Sequence, residues 1–558
     1  MREVGLFGAS VSMYIRQRKI IRVISILLIG SCIAGCGEPA GTTDKPKELA
    51  PKIDLGTTIG AMAEVFLFDA IPVESYNLVG GLNGTGSVEC PPQIRTYLEK
   101  YIMRKLPNQN VEKVISSRNT AVVSVYGLMP AAVSKNQYFD VRVAALPGTQ
   151  TTSLEGGWLY GAELKVAGSF GITTKVVATA EGPVFIDTIN GSATNKKVGY
   201  ILAGGRVLNE YKISLALRQP DYKIASLIRN LLNERFGNDV ARAVSPSQIE
   251  LRVPAEYREQ KRRFISIVKA TYLAQTQEVT KKRISTFVRK LAASKDKEQS
   301  EIALEAIGNK SLGKLAALLN SSNEQVRLRA ARCMLNLGSD QGLKTLRKIA
   351  MDKKSSYRVE ALEAITTAAN RNEAAAISRR LLRDEDFDIR LAAYESLRKL
   401  DNIAVTQKLI AGNFYLEQIA QTKRKAIFVS RSGQPRIVLF GAPIYCKDNI
   451  FVQSADGNIT INAPAGQKYV SIIRKHPKRP NITVQLRSSF ELGDIIQTLC
   501  EEPLKKTGRG HLGLNVSYAD MITLLKQMSD KGAVQAEFRA GPLPKIGLII
   551  KKRQTTGR

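Results

Sequence analysis

The chain has only two histidines and six cysteines in 558 residues, and after Cys36 neither type clusters. His476 and His511 stand far from any cysteine, and Cys90, Cys333, Cys446 and Cys500 are scattered without metal-ligand spacing. A zinc site needs several such ligands converging, so this scarcity argues against one. No Ser, His and acid set suited to nucleophilic catalysis is apparent either, and the expected catalytic, cofactor-binding and metal residues are none. The surroundings Lys475-His476-Pro477-Lys478-Arg479 are basic and loop-like, which suits a solvated histidine. Cys446 and Cys500 fit a disulfide or two buried thiols equally well, and Cys333 falls on an apolar stripe. Acidic residues are also short: 50 against 82 Lys and Arg, a formal net charge of +32. That surplus favours nucleic acid, anionic lipid or an acidic envelope polymer without choosing among them.

Long hydrophobic runs are missing too, and the one apolar stretch sits at the start. Arg16-Gln17-Arg18-Lys19 is followed by Ile20 to Ile29, broken by Arg22 and Ser25, and then by Ile33-Ala34-Gly35-Cys36. The segment is too short for a membrane span. Small residues before a cysteine resemble the bacterial lipobox, which implies cleavage before Cys36 and a lipid on its thiol. An ordinary secretory signal or an uncleaved anchor is the alternative. Gly37 resembles the residue of lipoproteins sorted to an outer membrane. Met1 and Met13 are both available as starts. Residues 1–35 thus read as a signal peptide and 36–52, rich in Pro, Thr and Lys, as a lipidated tether. A secreted chain rarely meets DNA, so nucleic acid is not expected as a partner.

Three blocks follow. Residues 53–275 read as mixed α/β: Thr120–Tyr126 and Phe139–Leu146 as strands, Tyr222–Phe236 as a helix capped by Asp221 and closed by Gly237, and Ile249–Val253 as another strand. Residues 276–424 are helical and repetitive. Val326-Arg327-Leu328-Arg329-Ala330-Ala331 is echoed by Tyr357-Arg358-Val359-Glu360-Ala361-Leu362 and by Ile389-Arg390-Leu391-Ala392-Ala393-Tyr394. The marker residues Arg327, Arg358 and Arg390 are 31 and 32 residues apart and each opens an amphipathic helix. This resembles short HEAT-like repeats, whose helix pairs stack because one pair cannot bury its apolar face alone. Residues 425–558 return to mixed structure, with strands at Arg436–Phe440 and Asn458–Ile461 and a helix from Ser517 carrying Met521, Leu524, Leu525 and Met528.

Leu78-Val79-Gly80-Gly81-Leu82-Asn83-Gly84-Thr85-Gly86 looks like a phosphate loop, but no Lys follows its last glycine and its spacing fails the dinucleotide fingerprint. A solvent-facing turn needing positive φ is the plain alternative. With Val73-Glu74-Ser75-Tyr76-Asn77 before it and Ser87 after it, the run resembles the glycine-rich signature of the bacterial flagellar P-ring protein family. Further segments resemble that family in the same order: Asn119–Val125, Phe139–Gly157 ending in Ser153-Leu154-Glu155-Gly156-Gly157, and Ile224–Val253. Beyond the helical block, so do Ser430-Arg431-Ser432-Gly433, Phe490–Ile496 and Ser517–Phe538.

The resemblance implies a periplasmic structural protein that forms a homo-oligomeric ring around the flagellar rod at the peptidoglycan layer, paired with the L-ring protein, with no enzymatic activity and no cofactor. Its signature positions here are Gly80, Gly81, Asn83, Gly84, Gly86, Ser153, Leu154, Gly156 and Gly157. The fold class expected is α+β: mixed α/β P-ring-like N- and C-terminal parts with an inserted all-α HEAT-like solenoid. Insertions sit where chain ends lie close, so 250–280 and 420–435 are expected to be near each other. The alternative is a lipid-anchored envelope scaffold that binds a protein partner through its repeats outside a flagellum.

Overall fold

In the computed structural model the described residues are 55–546, apart from 67–69, 106, 109, 131, 169–173, 190–194, 211, 455, 477–478 and 503–512. The readings of residues 1–35, Cys36, the tether and His511 lie outside them. No helix among the described residues is long and apolar enough to cross a membrane.

The chain enters through helix α1 (Ile59–Met62) and strand β1 (Ala63–Phe66). A six-stranded closed barrel follows, built from β2 (Ile71–Gly80), β3 (Ala121–Met129), β4 (Tyr138–Ala145), β5 (Trp158–Val166), β6 (Ala178–Pro183) and β7 (Val198–Val207) in the order β2-β3-β4-β7-β6-β5. Its strands alternate: Val123, Val125, Val141 and Val143 fill the interior. The opposite face presents Leu78 and Val122 to α2 (Pro92–Lys105) and α3 (Val111–Ile115), which close over them with Leu98, Ile102 and Ile115. The chain then returns to β1. Strands β8 (Ile213–Leu217), β9 (Ala241–Ser245) and β10 (Gln248–Leu251) complete an antiparallel sheet of order β1-β8-β10-β9, so the whole barrel is an excursion between β1 and β8. Helices α4 (Tyr222–Phe236) and α5 (Lys261–Ala270) cover this sheet with Ile228, Leu232, Phe264 and Val268. Asp221 caps α4 as its sequence predicts, accepting from the N–H groups of Lys223 at 2.7 Å and Ile224 at 3.1 Å.

Eight consecutive helices come next: α6 (Gln277–Ala293), α7 (Glu298–Ile307), α8 (Leu312–Leu318), α9 (Glu324–Asn336), α10 (Gln341–Met351), α11 (Arg358–Ala368), α12 (Arg371–Leu381) and α13 (Phe387–Lys399). Helices α7, α9, α11 and α13 pack on one another in a central row, and α6, α8, α10 and α12 flank that row. An array of this kind leaves two ends that need covering. The first end meets α5. At the other, Phe387 and Tyr394 of α13 pack on Phe440, with ring centroids 5.6 and 5.7 Å from it.

Phe440 belongs to the last β-rich part, which begins earlier than its sequence suggests. The 276–424 block reads as helical throughout, but the helices stop at Lys399, and β11 (Thr406–Ile410) and β12 (Phe414–Ile419) form a hairpin around Ala411 and Gly412, both at positive φ. The apolar side chains Ile410, Phe414 and Leu416 then fill a β core instead of a helical one. With β13 (Ala426–Val429), β14 (Arg436–Phe440) and the later β19 (Glu537–Ala540) they make a mixed sheet of order β11-β12-β14-β13-β19. Both faces of this sheet are buried, which is why Arg436–Phe440 reads as one apolar run. Ile427, Val429, Ile437 and Leu439 face one core. Ala426, Phe428, Val438 and Phe440 face the helical array. A second sheet, β15 (Ile450–Gln453), β16 (Ile459–Ala463), β17 (Val470–His476) and β18 (Arg479–Ser488), shares the first core with α14 (Leu492–Cys500) and α15 (Tyr518–Asp530). His476 therefore ends a strand, although its basic surroundings in the sequence suggest a loop.

This last part also packs on the barrel. Phe185, Ile189 and Leu202 join its core, Gly433 N–H donates to Asp140 at 2.8 Å, and Arg431 pairs with Asp187 at 2.8 Å. The last turn of α13 meets the chain just before α5: Lys399 Nζ lies 3.9 Å from Glu259, and the adjacent Arg398 donates to Gln434. The flanks 250–280 and 420–435 thus both reach the last turn of α13.

Candidate functional site: a glycine turn at the barrel rim

The run after β2 turns back on itself at the barrel rim. Gly81 and Gly84 take φ of +79° and +76°, which a Cβ disfavours, and both are exposed with Asn83. Gly80 and Gly86 are glycine for another reason. A Cβ on residue 86 would stand 2.0 Å from the carbonyl oxygen of Thr120, and one on residue 80 would stand 2.3 Å from the Tyr160 hydroxyl. Three of the turn's N–H groups point inward: Leu82 donates to Asn119 O at 3.0 Å, Gly84 to Asn119 Oδ1 at 3.1 Å and Gly86 to Arg118 O at 2.8 Å. A phosphate cradle needs such groups free. Here they are spent on the β3 approach, and the run is a structural turn.

The second signature closes on the first. Thr85 Oγ1 donates to Ser153 O at 2.9 Å, and Thr152 N–H donates to Thr85 O at 2.8 Å. Leu154 is fully buried and its N–H donates to Lys196 O at 2.8 Å. Gly156 takes φ of +70°, and a Cβ on Gly157 would meet Val79 Cγ1 at 2.4 Å and Leu82 Cδ2 at 2.9 Å. Two motifs about seventy residues apart in the chain therefore form one rim, where Gly80 and Trp158 are cross-strand partners.

Next to this rim the barrel seam splits. β2 and β5 pair at Val73↔Val166 and Glu74↔Lys165 and again at Val79↔Leu159 and Gly80↔Trp158, with the register shifted between. Asn77, 2 % exposed, fills the break: its Nδ2 donates to Gly161 O at 2.8 Å and its Oδ1 accepts from Leu78 N–H at 2.8 Å. Tyr101 from α2 also donates to Gly161 O. Burial, with the nearby Glu163 carboxylate, pushes the Tyr101 phenol up to about 12. A hollow of about 570 Å³ lies over the break, lined by Asn77, Tyr101, Tyr160, Glu163 and Arg206 among others. The sequence flags Asn77 only as a neighbour of the glycine run and offers no separate signal for its role.

Two of the three repeat markers share a job. Arg327 donates to the carbonyls of Ser321 at 2.7 Å and Ser322 at 2.9 Å, and Arg390 to those of Asp384 at 3.0 Å and Glu385 at 2.8 Å. In both cases the acceptors are six and five residues earlier, in the turn that precedes the helix. Arg358 instead donates to Ala350 O at 3.1 Å and pairs with the Asp384 carboxylate. One turn thus holds two markers.

Two buried acids escape the sequence reading. Glu301 and Glu305 of α7 are fully buried. Glu301 binds Arg263 at 2.7 Å, Arg329 at 2.8 Å and Arg332 at 2.6 Å, and Glu305 binds Arg263. This joins α5 to the array. Burial alone would raise the Glu301 carboxyl, but Arg263 and Arg332 hold it down to about 2. The available signal is their i, i+4 spacing on the apolar stripe of α7, opposite arginines on α9. Cys446 and Cys500 are buried free thiols, as is Cys333. Among the described residues no three His, Cys, Asp or Glu side chains are grouped to hold a metal ion.

A family model described as flagellar P-ring protein matches residues 60–286. The flagellar P-ring protein of Thermotoga maritima is 33% identical over 205 residues, 34% of this chain and 59% of that protein. That of Nitrobacter winogradskyi is 28% identical over 256 residues, 43% of this chain and 62% of that protein. That of Helicobacter pylori is 26% identical over 229 residues, 38% and 59%. The chain spans about three-fifths of the length of these curated relatives. An engineered protein of solved structure aligns with 32% of the chain at a TM-score of 0.17, too low to argue from. The match takes in the barrel, the β1-β8-β10-β9 sheet and α5, and ends within α6; the motifs from Ser430 onward lie beyond it. Over residues 60–286, about two-fifths of its length, the chain is homologous to the flagellar P-ring proteins.

Proposed function

We propose that the chain is a structural subunit of a flagellar P ring: a periplasmic protein that closes into a ring around the rod at the peptidoglycan layer, beside the L ring, and acts as a bushing for rotation. One observation carries the reading. The two glycine motifs that resemble the P-ring signature form a single barrel rim, and both lie inside the matched residues 60–286. A bushing needs shape and no catalytic residue. In this reading 53–275 and 425–558 are the P-ring-like parts, and the helices between them are an inserted HEAT-like array. A lipid on Cys36 tethers the chain to the outer membrane. Purified basal bodies give the test: the chain co-purifies with rod and L-ring proteins from a motile strain, and its absence there defeats the proposal. Loss of fatty-acid incorporation in a Cys36→Ala chain checks the tether.

A second reading is favoured by the helical array, most of which lies beyond the family match. It makes the chain an envelope scaffold that holds a protein partner on that array, outside a flagellum. A genome without rod and L-ring genes would decide for it.

A further inference from the structure

The helical array separates charge by face. On the flanking helices, Lys344, Arg347 and Lys348 of α10 and Arg380 and Arg383 at the end of α12 are exposed, and none joins an ion pair among the described residues. Helix α10 contains no acid. Residues 344, 347 and 348 are one stripe of a helix, at i, i+3 and i+4. In the central row, α11 exposes Glu360 and Glu363, also i and i+3, and neither joins an ion pair. Helices α10 and α12 pack against α11 from one side, so its exposed stripe looks the other way. Other exposed charges mostly follow the same division: Lys281, Lys282, Arg289 and Lys290 of α6 and Lys314 of α8 outnumber the acids Glu278 and Glu373 on the flanking helices, and Glu298 of α7 and Asp388 of α13 belong to the central row. What is left on the surface is a basic face and, behind it, an acidic one. Solvated surfaces ordinarily intersperse the two signs.

We propose that the basic face of the array in one copy of the chain docks on the acidic face of the array in a second copy. The proposal rests on the homo-oligomeric reading above and names the surface that would carry it. Two different patches meet, so the contact is head-to-tail, and such contacts close into rings when the rotation between copies allows. Like faces repel, which disfavours back-to-back pairs and sets the direction of assembly. The contact is steered by exposed charge and so is sensitive to salt.

Sedimentation velocity of the purified full-length chain tests this. Concentration-dependent self-association is expected at about 0.05 M salt and its loss at about 0.5 M. The triple change Lys344→Glu, Arg347→Glu, Lys348→Glu weakens the apparent Kd at least about tenfold, and so does the pair Glu360→Lys, Glu363→Lys. Mixing the two altered chains in equal amounts restores association, because one now has two acidic faces and the other two basic ones. All five side chains are exposed, and circular dichroism verifies that each variant folds. A wild-type chain that stays monomeric at low salt overturns the proposal, as does a mixture that fails to associate. Absence from basal bodies would defeat the P-ring reading and leave this result standing.

Discussion

Tyr160 lies against Gly80, so close that a Cβ on residue 80 would stand 2.6 Å from its ring carbons. The contact crosses from β5 to β2 and brings the two glycine motifs of the chain together. It also divides their glycines into two kinds. Gly80, Gly86 and Gly157 are glycine because a neighbour occupies the space of a side chain; Gly81, Gly84 and Gly156 because the backbone turns left-handed.

That division predicts unequal costs. Gly86→Ala drives a methyl group into the backbone of Thr120, which has little room to move, and is expected to destabilise the chain by about 3 kcal/mol. In Gly84→Ala the new methyl group meets nothing within 4 Å. Only the left-handed strain remains, about 1 kcal/mol. Urea denaturation of both variants measures the difference; equal losses would refute the distinction.

The same rim shows what the sequence could reveal. The turn character of residues 80–86 is legible from local rules, because positive φ leaves a compositional trace at Gly81 and Gly84. The contact with Ser153–Gly157 is legible only through family resemblance, since crowding at Gly86 and Gly157 depends on strands far apart in the chain. Local capping is read correctly too, at Asp221, which accepts from Lys223 and Ile224 N–H. The β11–β12 hairpin is missed because Lys408 and Gln418, in a Lys- and Glu-bearing stretch, resemble the helical block before them. The Arg–Glu joint is missed because burial of a charge is invisible until its partners are placed.

At that joint, Glu301→Gln leaves Arg263, Arg329 and Arg332 around an uncharged amide. Breaking a buried pair in this way is expected to cost about 3–5 kcal/mol, against nearly nothing for an exposed pair such as Lys353–Glu385, 3.7 Å apart. The pH dependence has a definite sign. A carboxyl held down to about 2, from 4.5, adds stability that is present above pH 4.5 and is lost as pH falls toward 2. Urea midpoints across that window should fall more steeply for the wild type than for Glu301→Gln.

Arg390 offers a test of the repeat markers. Nη1 makes both bonds to Asp384 and Glu385, and the guanidinium lies over the Phe387 ring; Lys at this position keeps the charge but is shorter and has no flat face for that ring. Arg390→Lys is expected to lose about 1.5–3 kcal/mol, while Arg383→Lys, at an exposed position, should lose under about 0.5 kcal/mol. Thermal denaturation of the two variants decides whether the marker works through its geometry or merely its charge.

Tyr394 and Glu417 make the corresponding joint at the other end of the array. Both are fully buried, and the phenol donates to the carboxylate, which also accepts from Arg398 at 3.0 Å. Arg436 in turn donates to the phenol oxygen at 2.8 Å. Tyr394→Phe therefore removes one partner from a buried carboxylate and one acceptor from a buried guanidinium, with almost no change in volume. A loss of about 1–3 kcal/mol is expected from the groups left short of partners. The phenol also predicts alkaline behaviour. Burial pushes it up from its usual 10, and Glu417 adds to the shift against the opposing pull of Arg436. A group raised in the folded state contributes stability that is complete below pH 10 and fades as pH rises beyond it. Wild-type stability should therefore fall above pH 10 with a component that Tyr394→Phe lacks. Parallel curves for the two chains through that range would show that the phenol is not held as this geometry requires.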